Sequence, residues 1–181
     1  MFLIKINDQT ILYTGDFRFT KELFKNSILY PIHKPEEKGI SIPIDHLIMD
    51  NTFCDTKYIF PDIDEAFLLI YKIIKSHPGH NVEIYTYNVG KEEIFISLAE
   101  IFKTKIAIEK KKYNLLKASS GINMDYFTTD FDEAWIKVKS MFNMNLKQLS
   151  EENKTAKTIY ILPTAHGERY ENVKNKKFYV K

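Results

Sequence analysis

An α/β architecture with a mainly parallel sheet flanked by helices is expected from this sequence, preceded by a β-hairpin piece. Two patterns carry that expectation. From residue 46 to residue 162, short β-branched runs alternate with stretches whose apolar positions recur at helical spacing, as in βαβ units. Ahead of them, Phe2–Ile6 and Thr10–Thr14 are β-branched and aromatic runs separated by Asn7-Asp8-Gln9, which reads as a hairpin with a polar turn.

In chain order, Gly15-Asp16 follows the second strand, so Asp16 sits where a strand opens into a loop. Residues 20–43 hold Pro31, Pro35, Gly39, Pro43 and the charged cluster Lys34–Lys38. They read as a connection with one turn of helix at Lys21–Lys25. His46–Met49 is a short buried strand with Asp50 at its carboxyl end. Asp62 or Asp64 caps a helix carrying Ala66, Leu69, Ile70, Ile73 and Ile74 at helical spacing, and Pro78-Gly79 ends it. Val82–Tyr87 is the next strand. Gly90 opens a helix over Lys91–Phe102, with Ile94, Phe95, Leu98, Ile101 and Phe102 as its apolar set. A strand at Lys105–Ile108 and a helix at Lys110–Leu116 follow. The last third holds a strand around Ala134–Val138, a short helix around Leu146, a strand at Thr158–Leu162 and a polar, lysine-rich tail.

Composition bounds the classes. With 181 residues the chain is long enough for one ordinary domain with its own core. Its 44% hydrophobic content excludes intrinsic disorder, and six Gly and six Pro exclude collagen-like or low-complexity chains. Cys54 is the single cysteine, so no disulfide scaffold exists, which suits a reducing compartment. A formal charge of +2 does not announce a nucleic-acid binder. Only Arg18 and Arg169 are arginines, so the lysine richness reads as compositional bias. No stretch makes a signal-peptide core or reaches the roughly twenty apolar residues of a membrane span, and a soluble chain is expected.

Several residues could carry chemistry. Asp16 is either a turn aspartate bonding its own backbone or a metal ligand on a rigid strand end. Asp50-Asn51-Thr52 is either a turn cluster or a carboxylate with donors beside it, suited to orienting a metal-bound water or a phosphate. Cys54 reads as a small buried residue. Val89-Gly90-Lys91 opens a helix after a strand, where free N–H groups and a lysine make an anion site. It is not a P-loop, because the first glycine and the Ser/Thr after Lys91 are absent. The five histidines show no HxH or HxxxH spacing. His77 and His80 flank a Pro-Gly turn, and His166 follows the last strong strand.

Four segments in order, Ile11–Arg18 (ILYTGDFR), Leu47–Cys54 (LIMDNTFC), His80–Glu92 (HNVEIYTYNVGKE) and Ile161–Thr164 (ILPT), resemble the DNA cross-link repair nucleases, metallo-β-lactamase-fold enzymes with a β-CASP insertion. The resemblance covers nearly the whole chain. It implies the end of a metallo-β-lactamase αββα sandwich and its connection over 1–45, a β-CASP domain over 46–165, and a tail over 166–181 leading back to the lactamase core. It also implies a metal-dependent 5′–3′ DNA exonuclease of interstrand cross-link and double-strand-break repair, with zinc as cofactor. Its substrates would be DNA 5′ ends, its partners DNA-repair or telomere proteins, its compartment the nucleus, with no membrane contact. Residue by residue, Asp16 matches the family aspartate that ligates the active-site metals, and Asp50 the β-CASP acidic residue beside the metal centre. Lys91, at the β-CASP helix start, and Thr52 are the expected substrate contacts.

The chain also departs from the family pattern. The HxHxDH ligand motif lies upstream of the TGDF segment in the family, and here only fifteen residues precede Asp16. The β-CASP histidine expected in the Ile136-Lys137-Val138 strand is Lys137. The expectation is therefore the middle of such a nuclease, inactive as this chain alone. The alternative is a non-catalytic DNA- or protein-binding remnant.

Overall fold

In the computed structural model, residues 1–17, 43–87, 89–119, 121–145, 149, 157–165 and 178–180 are described. The helical turn expected at Lys21–Lys25, the helix expected around Leu146, His166 and the tail residues 168–177 lie outside the described residues. The chain divides into two compact units, Met1–Ile59 and Phe60–Lys181.

The first unit holds a three-stranded sheet in the order β1-β2-β3. Strands β1 (Phe2–Ile6) and β2 (Gln9–Tyr13) form the expected antiparallel hairpin, pairing Phe2 with Tyr13 and Ile6 with Gln9. Its turn is tighter than expected. Asn7 takes a left-handed φ of 54°, which a short polar side chain tolerates, and this returns Gln9 to the ladder. Strand β3 (His46–Ile48) runs parallel to β2, with His46 opposite Ile11 and Ile48 opposite Tyr13. Asp45 locks that register: its N–H donates to the Thr10 carbonyl at 2.9 Å, and its Oδ2 accepts from the Thr10 N–H at 2.7 Å. Residues 46–48 thus pair with the hairpin and fall within the first unit. The strand at His46–Met49 was expected to be buried; instead Leu47 is 57% and Ile48 52% exposed. Consecutive side chains of a strand point to opposite faces, and the described part of this unit has no helix to cover either one.

The second unit is a six-stranded sheet among the described residues, in the order β6-β5-β7-β4-β8-β9, with every pairing parallel. Its strands are β4 (Asn81–Thr86), β5 (Ile106–Ile108), β6 (Phe127–Thr128), β7 (Ile136–Ser140), β8 (Thr158–Leu162) and β9 (Phe178–Val180). Helices α1 (Ile63–Lys75), α2 (Glu92–Phe102) and α3 (Lys110–Ala118) alternate with the first of them. The predicted α/β architecture is therefore present. Strand β7 begins two residues later than expected, and the two-residue β6 is too short to show alternation in sequence.

Local signals explain the element ends. Asp62 caps α1 in a reciprocal box with Glu65, in which the Glu65 N–H donates to Asp62 Oδ1 at 2.8 Å and the Asp62 N–H to Glu65 Oε2 at 3.1 Å. At its other end His77 Nδ1 lies 2.9 Å from the Ile73 carbonyl, so this half-buried histidine finishes the helix.

Register sorts the two faces of the sheet. Val82, Ile84, Ile106, Ile108, Ile136, Val138, Ile159 and Ile161 align across neighbouring strands. They join Ile70 and Ile74 of α1, Ile94, Phe95 and Leu98 of α2, and Leu116 of α3 in the main core. The alternate positions Tyr85, Tyr160 and Leu162 join Leu149 in a second, smaller cluster, with Met141 and Met144 packed on it. Ile101, expected on the apolar face of α2, is half exposed at the end of the helix.

Phe95 is fully buried at the centre of the main core. Phe95→Ala is expected to destabilise the chain by about 3–5 kcal/mol in chemical denaturation, whereas Ile101→Ala should cost less than about 1 kcal/mol.

Candidate functional site

Two parallel neighbours, β2 and β3, end on the same edge of the first sheet, and that edge carries the two candidate carboxylates. Past β2 the Thr14 N–H donates to the Ile48 carbonyl at 3.0 Å, extending the ladder by one residue. The buried Thr14 hydroxyl then accepts from the Asp50 N–H at 3.2 Å and donates to the Gly15 carbonyl at 2.8 Å. Thr14 therefore ties the start of the Asp50 loop to the start of the Asp16 loop. Gly15, at a left-handed φ of 58°, turns the chain outward and leaves Asp16 exposed.

Asp50 is half-buried and held by Thr52. The Thr52 hydroxyl donates to Asp50 Oδ1 at 2.5 Å, and its backbone N–H donates to the same oxygen at 3.0 Å. The hydroxyl, and after it the amide, hold the Asp50 carboxyl below the usual carboxylate value, against a small opposing effect of burial. Such a carboxylate stays ionised and suits orientation and charge better than proton abstraction at neutral pH. The loop beyond is a run of tight turns, with the Cys54 N–H donating to the Asn51 carbonyl and the Phe53 and Tyr58 rings packed edge to face at 5.1 Å. Cys54 is exposed there, not buried, because this loop lies outside any core.

Lys91 lies in the second unit. It precedes α2 with a left-handed φ of 66°, and its carbonyl accepts from the Ile94 and Phe95 N–H groups. The carboxylate at this helix start is the chain's own. Glu92 Oε1 accepts from the Gly90 N–H at 2.8 Å and from Lys112 Nζ at 3.0 Å. The Lys112 side chain is only 5% exposed and that of Glu92 17%, so this is a buried ion pair, with the ammonium 5.4 Å from the Phe95 ring centroid. Sequence reasoning discounted the 110–112 lysines as compositional. The missed signal was spacing, since Lys112 stands four residues before the buried Leu116 on the inward side of α3.

Lys137 sits in β7 opposite Glu83 and Ala107. Its neighbour Lys139 pairs with Glu83 at 2.6 Å, and Glu83 also accepts from the Tyr85 hydroxyl at 2.9 Å. Zinc takes three or four protein ligands in its usual sites. Among the described residues no three His, Cys, Asp or Glu side chains converge, so these residues do not by themselves fit a zinc ion. No helix among them is long and apolar enough to cross a membrane.

Carboxylates on the ends of parallel strands in one unit, and a parallel α/β sheet in the other, define an α/β protein whose candidate chemistry lies at strand termini. No family model matches the chain. Curated relatives do. The chain is 35% identical over 165 residues to the protein named 5′ exonuclease Apollo of Danio rerio, covering 91% of this chain and 27% of that protein. It is 31% identical to the Apollo protein of Rattus norvegicus, covering 91% and 28%. It is 28% identical to the DNA cross-link repair 1A protein of Gallus gallus, covering 78% and 14%. The chain is thus similar over most of its length to proteins named 5′ exonuclease Apollo and DNA cross-link repair 1A, the resemblance its motifs carry, and it spans about a quarter of the length of the Apollo proteins it matches.

Two measurements check this geometry. Because the Asp50 carboxyl lies below its ordinary value of 3.8, its ionised form stabilises the fold above that pH, and the contribution is lost as pH falls through the lower folded value. Thr52→Ala should move the Asp50 carboxyl back towards 3.8 in a carbon-detected NMR titration. Glu92→Leu, which strands a buried ammonium, should cost about 3 kcal/mol in thermal unfolding, and adding Lys112→Met should recover most of it.

Proposed function

We propose that this chain supplies the acidic strand ends and the β-CASP domain of a metal-dependent 5′–3′ DNA exonuclease acting in interstrand cross-link and double-strand-break repair in the nucleus. The observation that carries the reading is the 35% identity over 91% of the chain to a protein named 5′ exonuclease Apollo. The carboxylates presented at one end of the first sheet agree with it. In this reading the first unit is the end of a metallo-β-lactamase sheet and the second the β-CASP domain. Asp16, exposed on its loop, supplies one metal ligand. Asp50, kept ionised by Thr52, accepts a hydrogen bond from the water that attacks phosphorus through the carboxylate oxygen that Thr52 does not occupy. Thr52 in the first unit and Lys91 in the second are each proposed as contacts to substrate DNA. Zinc is the proposed ion, its remaining ligands coming from outside the described residues, and DNA-repair or telomere proteins are the proposed partners.

Lys137 favours a second reading, in which the chain is a non-catalytic DNA- or protein-binding module. The family resemblance calls for a histidine in that strand. Lysine there can neither accept a proton while charged nor ligate a metal as imidazole does.

The two readings separate in one assay on the native protein with a 5′-phosphorylated labelled strand and divalent metal. On the nuclease reading, Asp16→Ala and Asp50→Asn each lower the rate of nucleotide release by roughly 10²-fold or more, with DNA affinity at fixed salt retained. Full activity in Asp16→Ala would sink that reading. An inactive wild type whose DNA affinity falls steeply with salt would support the binding module instead.

A further inference from the structure

We propose that Tyr87 and Phe142 form a stacking platform for the bases of a single-stranded DNA segment at the carboxyl edge of the parallel sheet. The proposal rests on the DNA reading above and names a surface that reading does not use. Tyr87 directly follows β4, and Phe142 lies in a short 3₁₀ turn (Met141–Asn143) directly after β7, the strand beside β4. Their rings meet at 5.9 Å between centroids and 62° between planes.

Both rings are open to solvent, Tyr87 at 45% and Phe142 at 76%. An apolar core lies within two residues of Phe142 on either side of the turn. Met141 and Met144 turn inward onto Tyr85, Leu149, Tyr160 and Leu162, while the larger ring between them points out.

The turn that carries Phe142 is held by polar contacts. Ser140 Oγ accepts from the Phe142 N–H at 3.3 Å, and the Met144 N–H closes on the Met141 carbonyl at 3.2 Å. Glu109, at the end of β5, reaches across so that its Oε1 accepts from the Ser140 N–H at 3.0 Å and from Asn143 Nδ2 at 3.4 Å. An aromatic ring excluded from a neighbouring core, held by a capped turn and paired edge to face with another, presents a π-face at little further ordering cost. Base–aromatic stacking uses such a face without regard to sequence. The edge also suits a polyanion. Lys110 and Lys111, both exposed, follow Glu109 in the first turn of α3, where their charge adds to the positive end of the helix dipole. A shallow cleft beside the pair, near Thr86 and Ser140, has room for about 10 Å³, enough for a single water and not for a base, so the contact must be made on the surface.

The test is fluorescence anisotropy of the full chain with a labelled oligothymidylate and with an abasic strand of the same length, over a range of salt. Phe142→Ala removes an exposed ring, so the far-UV circular dichroism and Trp135 emission should match the wild type. Its affinity for the oligothymidylate should fall about 5- to 100-fold with the salt slope unchanged, to the level at which the wild type binds the abasic strand. Lys110→Ala with Lys111→Ala should instead flatten the salt slope and weaken both strands alike. Wild-type binding that Phe142→Ala leaves intact overturns the platform while sparing the nuclease reading. Wild-type failure to bind any DNA overturns both. Self-association in sedimentation that Phe142→Ala dissolves, with DNA affinity unchanged, overturns the platform in favour of a protein contact.

Discussion

The register of β7 between β4 and β5 governs the second unit. Ile136 stands opposite Val82 and Ile106, and Val138 opposite Ile84 and Ile108, so the branched side chains of three strands enter one core. A slip of one residue would exchange these for Lys137 and Lys139 and put two ammonium groups among them. The cost of burying unpaired charge makes this register exclusive. It also fixes where the strands stop. Thr86 and Ser140 end side by side while Ile108 ends opposite Val138, and that edge brings Glu109 within reach of Ser140 and Tyr87 within reach of Phe142.

Most of this architecture was legible in the sequence, because its signals are periodic. The helices announced themselves by apolar spacing, α1 also by Asp62 and Glu65, and β8 by five consecutive buried residues. What escaped was set by pairing rather than by pattern. The turn at Asn7 is shorter than its polar residues suggested, because the ladder reclaims Gln9. The run His46–Met49 is apolar enough to imply burial, yet burial also needs a partner layer, and sequence does not say whether one packs there. The buried ion pair hid in a lysine run for a related reason. Nothing in Lys110-Lys111-Lys112 marks the third residue, until the helix phase and the carboxylate of Glu92 single it out.

The candidate site shows the same division. Asp16 and Asp50 were found as strand-end carboxylates, and the structure places both past the ends of neighbouring parallel strands. The part no motif states is how they are joined: a buried threonine hydroxyl that accepts from one loop and donates to the other. Thr52 was singled out beside Asp50 as a donor. The structure makes that donation double and directs both bonds to one oxygen, which leaves the other unoccupied by Thr52.

The strand order has a further consequence, for the sequence of events in folding. Strand β4 pairs with β7 and β8, placing Val82 against Ile136 on one side and Ile159 on the other, and with no strand nearer in sequence. Both partners lie more than fifty residues downstream, so on a ribosome β4 emerges with two open edges and waits for most of the unit to be made. Helices α1 and α2 can form locally in that interval, but the sheet beneath them cannot close. The unit should therefore fold late and slowly for its size, with apolar edges exposed in the meantime. Chaperone demand during synthesis is written into the order of its strands.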